Sequence, residues 1–93
     1  MSEQFDKNEK HKLLFLNLVL IMQSAALQNM GRIENPGQPP VPVNLEQART
    51  FIDILDMIAV KTRNNLLDDE KKFLENTLTQ VKMAFVEETN KSK

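Results

Sequence analysis

Ninety-three residues, 41% hydrophobic and 27% charged, fit one small soluble domain and exclude wholesale disorder. Twelve Lys and Arg stand against thirteen Asp and Glu, and the resulting net charge of −1 gives no general attraction to phosphate backbones. With no Cys, Tyr or Trp and a single His, the chain lacks disulfides, thiolate metal sites, thiol nucleophiles and most side chains that do acid–base chemistry near neutral pH.

Residues 1–12 form a charged head, with three acids (Glu3, Asp6, Glu9) balanced by three lysines (Lys7, Lys10, Lys12), and are expected to be flexible. A single helical domain is expected over 13–86. Residues 13–30 hold neither Pro nor Gly and are rich in Leu, Met, Ala and Gln, so a first helix is predicted over about 9–30. Gly31 follows and suits the left-handed position that ends a helix. At about 100° per residue most of this helix is apolar, and its polar stripe is Asn17, Ser24 and Gln28. A helix apolar nearly all round is buried on several sides or lies in lipid. The dense run Leu13–Met22 is half of the roughly 20 residues that a span needs, and Asn17 interrupts it. It also resembles the apolar stretch of a signal peptide. The head has no net positive charge, however, and the sequence begins at Met1, so the segment is expected to be retained and the protein to be cytoplasmic.

Residues 31–43 contain both glycines and all four prolines, a link expected to follow an extended, polyproline-like path. A second helix is predicted over about 44–62, with Asn44 as N-cap, Gln47 completing a capping box, and Val43 and Ala48 at the hydrophobic-staple positions. Its apolar face is Leu45, Ala48, Phe51, Ile52, Leu55, Ile58 and Ala59. Asn64 or Asn65 suits a left-handed turn after it. A third helix is predicted over about 68–88, capped by Asp68 or Asp69, with a core stripe of Leu74, Leu78, Val81 and Phe85 flanked by Phe73, Thr77 and Ala84. Residues 87–93 form a charged tail expected to fray. The short connection 63–67 makes the second and third helices an antiparallel hairpin, with the first packed on both, in an all-α, three-helix domain.

Several motifs together resemble a family of short bacterial proteins known only as a domain of unknown function. They are Leu14-Phe15-Leu16-Asn17-Leu18-Val19, Gly31, Asn35-Pro36, Val43-Asn44-Leu45 with Ala48, Ile52-Asp53 with Leu55, Lys61-Thr62, Asn65-Leu66, Glu70 and Phe85-Val86. The match spans about residues 13–86, and Asn64 stands where the family pattern has Gly. The resemblance implies a bacterial, all-helical protein and supplies no activity, ligand or site.

No residue set reads as catalytic, cofactor-binding or metal-ligating, and no cofactor is expected. His11 lies among lysines and reads as a solvated surface side chain. Asp53 and Asp56 lie one turn apart, but the Glu-x-x-His pairs of di-iron bundles are missing and Arg49 explains Asp53 as a surface pair. Pro36-x-x-Pro39 and Pro39-x-x-Pro42 have polyproline-ligand spacing but read as a plain connection. A basic stripe, a Gly-containing helix-turn-helix corner and stacking aromatics are missing, so nucleic acid is not an expected partner. The sequence therefore points to a non-enzymatic interaction protein, a homo-oligomer (a dimer in its simplest form) joined through the first helix. Phe15, Val19, Met22 and Ala26 form the candidate interface row. Asn17 either faces solvent or fixes helix register inside the contact. The alternative is a peripheral membrane or membrane-protein accessory factor that buries this helix in lipid or a partner; lipid contact is the weaker reading because a basic face is missing.

Overall fold

The computed structural model describes residues 7–33, 36, 37, 39 and 42–91. The expected extended path of the proline-rich link falls partly outside them. Three helices make up the fold: α1 (Lys7–Met30), α2 (Leu45–Lys61) and α3 (Asp68–Lys91), each packed on the other two. This is the expected all-α, three-helix domain.

Cross-links between α1 and α3 keep a nearly constant spacing along the chain. Lys12 pairs with Asp69, and Gln23 Nε2 donates to Gln80 Oε1 at 3.3 Å, both 57 residues apart. At the far end Arg32 pairs with Glu87 and Glu88, 55 and 56 residues away. A constant spacing means that α1 and α3 run parallel. Lys82 Nζ reaches Asp56 Oδ1 at 2.9 Å across the α2–α3 hairpin, so the order is up-down-up. The core between them is Val19, Ala26 and Met30 from α1, Ala48, Ile52, Leu55 and Ile58 from α2, and Leu74, Leu78, Val81 and Ala84 from α3. Phe51, Phe73 and Phe85 lie partly buried around it.

The link between α1 and α2 is clamped at both ends. Gly31 adopts φ 86°, and its N–H donates to Gln28 O at 3.0 Å while Arg32 N–H donates to Leu27 O at 2.9 Å. This pair of bonds is the Schellman closure of a helix end. A Cβ on Gly31 would lie 2.9 Å from Val43 Cγ2, so both the left-handed turn and the close approach of Val43 require glycine here. Val43 is largely exposed, and its Cγ2 lies close over Gly31. Asn44 caps α2 as expected, its Oδ1 accepting from Gln47 N–H at 3.0 Å. The reciprocal half of the expected box is absent, because Asn44 N–H donates to Asn29 O at 2.8 Å. That bond ties the start of α2 to the end of α1.

Asn64 takes the left-handed turn between α2 and α3, with φ 66°. The cap of α3 differs from expectation. Leu67 holds the N-cap position, and Glu70 Oε1 accepts from Leu67 N–H at 2.8 Å, so the buried Glu70 closes the helix start. Asp69 Oδ1 accepts from the next N–H, that of Glu70, at 2.9 Å. Both outer helices also exceed their expected bounds. α1 begins at Lys7, inside the expected head, where Lys12–Asp69 braces its first turns. α3 continues to Lys91 because Arg32 and Lys91 both hold Glu88, at 2.9 and 3.2 Å, inside the expected tail.

Two predictions follow from the caps and braces. Asn44→Ala destabilises the domain by about 0.5–2 kcal/mol, read as a lower urea midpoint with an unchanged slope; an unchanged midpoint would mean that α2 is held by other bonds. The second concerns pH. A hydrogen bond from Lys12 holds the Asp69 carboxyl below its ordinary range, and Lys91, together with Arg32, does the same for Glu88. Stability from lowered carboxylates is present above their ordinary range, near pH ~4, and is lost as pH falls through the folded-state values. The thermal midpoint of the unaltered protein should therefore fall on acidification through that window more steeply than that of an Asp69→Asn/Glu88→Gln variant. Parallel curves would show that these pairs contribute nothing.

Candidate interaction surface

Helix α1 turns one side to the core, and this settles where the expected interface row lies. Val19 and Ala26 are fully buried, and Phe15 and Met22 pack against the core beside them. The row Phe15, Val19, Met22 and Ala26 thus lies on the helix's inner side, against α2 and α3, and is corrected from an outward face to a core stripe. Of the five candidate residues only Asn17 is exposed.

The outward arc carries a different set. Leu13, Leu14, Leu18, Leu20 and Ile21 are exposed, each between 42% and 55%. At about 100° per residue, Asn17, Ser24 and Gln28 fall within about 40° of one another along the middle of this arc. Leu13 and Leu20 flank them on one side, and Leu14, Leu18 and Ile21 on the other. Lys10 continues the midline toward the start of the helix. The surface dips in the second half of the arc, where Asn17, Leu20, Ile21, Ser24, Ala25 and Gln28 line a shallow depression. Sequence periodicity could not find the arc, because apolar residues are spread almost evenly around α1. The signal available was the polar stripe, which marks the outward midline.

Two clefts lie at the turn between α2 and α3. One is bordered by Arg63, Asp68, Lys71 and Glu75, whose charges alternate in sign and give no net field for an ion. The other, against the start of α1, is lined by His11, Phe15, Asn65, Leu66 and Glu70. His11 is exposed, and one Glu70 oxygen is taken up by the α3 cap. Thr62 also lines this cleft, and its hydroxyl donates to Ile58 O at 2.7 Å. In this cleft an exposed imidazole lies beside a carboxylate and a hydroxyl that already hold other bonds. Among the described residues, no three His, Asp or Glu side chains gather as metal ligands. Also among the described residues, α1 is the one helix long and apolar enough to cross a membrane, by length and composition.

The chain matches no curated protein and no solved structure. It does match a protein family over residues 12–87, a stretch that takes in most of α1, the link, α2 and most of α3. The chain therefore belongs to the family described as Domain of unknown function (DUF1844).

Proposed function

We propose that this protein is a non-enzymatic, homo-oligomeric interaction module of the cytoplasm, a dimer in its simplest form, joined through the outward arc of α1. The observation that carries the reading is the polar stripe down the middle of an exposed apolar arc. Five large apolar side chains exposed on one helix form a patch that soluble monomers rarely carry. A lipid-buried helix puts its most apolar line deepest. Here the deepest line would be Asn17, Ser24 and Gln28, whose polar groups have no partners in hydrocarbon. Between two helices the same groups can hydrogen-bond across the seam and set its register, while the leucines on either side exclude water.

The length and apolar character of α1 favour a second reading, a peripheral membrane protein that covers the arc with lipid. Light scattering with and without phosphatidylglycerol vesicles separates the two. The dimer reading expects a mass of two chains at tens of micromolar without lipid. Ile21→Glu should then give a folded monomer of unchanged helicity, since burial of such a side chain contributes about 1.5–3 kcal/mol in each copy. Val19→Glu should instead lose helicity, because Val19 is in the core. A monomer that binds vesicles through α1 would replace the dimer by the lipid reading.

A further inference from the structure

Two copies of the outward arc can meet parallel or antiparallel, and the sizes of its residues discriminate between these. Large side chains fill its first half, at Leu13, Leu14 and Leu18. Leu20 and Ile21 lie just past its middle, and small side chains stand toward its far end, at Ser24 and Ala25, where the surface dips. Parallel pairing sets each residue beside its own copy, leucine on leucine at one end and serine on serine at the other. One end is then overfilled and the other hollow, and both cost stability at native packing density. Antiparallel pairing sets the large end of each helix against the small end of the other.

Charge discriminates in the same direction. Lys10 stands on the midline at the start of α1, and the last turn of α1 carries no basic side chain. A parallel pair faces the two Lys10 ammonium groups across the seam. An antiparallel pair brings each of them toward the carbonyl end of the other helix, where a cation is favoured.

Leu14, Asn17, Ile21, Ser24 and Gln28 recur at alternating spacings of three and four, the seam pattern of paired helices. Resting on the homo-oligomeric reading above, we propose that two copies pair antiparallel through α1, with the two-fold axis level with Val19. Leu14 then meets the partner subunit's Ser24 across the seam. Ile21 faces the partner subunit's Asn17, and on the two flanks of the seam Leu18 and Leu20 each lie near their own copies. Lys10 reaches the partner subunit's Gln28 and supplies the cation that the end of that helix lacks. The Leu14–Ser24 and Ile21–Asn17 levels each join a large side chain to a smaller one.

Spin labels read this arrangement directly, because the chain has no cysteine of its own. A nitroxide on Lys10→Cys sits at an exposed position, and circular dichroism checks that the labelled chain keeps its helicity. In the antiparallel pair the two labels lie about 27 Å apart along the axis, by the helical rise between levels 10 and 28. Mixing chains labelled at Lys10→Cys with chains labelled at Gln28→Cys adds a distance below about 20 Å, set by helix separation and label length. Double electron–electron resonance giving both distances supports the proposal. A distance below about 20 Å between two labels at position 10 means parallel helices, and overturns the orientation while keeping the dimer. A dimer giving any other distance between those labels places the contact elsewhere and overturns the proposed seam. Absence of any intermolecular distance, with the mass of one chain by light scattering, overturns the homo-oligomeric reading itself.

Discussion

Helix α1 is apolar around most of its circumference, and α2 and α3 cover only the side that carries Val19, Ala26 and Met30. Two neighbours in a three-helix domain cannot do more, because each helix pair meets along one seam. The uncovered arc is therefore a consequence of the number of helices. A fourth helix would bury it within one chain; with three, Leu13, Leu14, Leu18, Leu20 and Ile21 stay exposed. The inner side follows different rules from the outer one. Residues facing α2 and α3 are small or β-branched where the helices approach closely, as at Val19 and Ala26, while the outward leucines project past the seam into water.

The junction between α1 and α2 decides which side of α1 faces inward. Gly31 turns the chain, Val43 closes over it, and Asn44 N–H reaches back to Asn29 O. These contacts fix where α2 begins relative to the last turn of α1, so the rotation of α1 about its own axis is set at its end. The ion pairs of Lys12 with Asp69 and of Arg32 with Glu87 and Glu88 then hold α1 against α3 from both ends. All of these side chains are partly or largely in water, so their part is to select the alignment more than to supply stability.

Much of this architecture is legible in the sequence, for reasons that differ by element. The bounds of α2 and the cap on Asn44 follow from local chemistry, since a side chain that accepts from an N–H three residues on needs nothing from the rest of the fold. Gly31 and Asn64 are legible for the same reason, as residues that tolerate a left-handed backbone. The orientation of α1 is not legible. Periodicity gives direction only when one side is polar, and α1 has just a thin stripe of Asn17, Ser24 and Gln28. The Phe15, Val19, Met22 and Ala26 row is a coherent line at helical spacing, yet so is its opposite. The cap of α3 is illegible for another reason. Leu67 is not a capping residue, and only the burial of Glu70 beneath the turn directs its carboxylate back to Leu67 N–H. The two added residues of α1 and the three of α3 lie near ion pairs with partners 55 to 57 residues away, beyond the reach of any local pattern.

The parallel course of α1 and α3 has a consequence for what the protein can join. The chain enters the bundle at one pole and leaves it at the other. Lys7 and Lys91 stand apart by the length of a helix, about 36 Å for 24 residues. A hairpin of two or four helices would return both ends to the same pole and hold whatever is attached to them side by side. Three helices instead separate them, so anything joined in front of α1 and anything joined behind α3 would be held about a helix length apart.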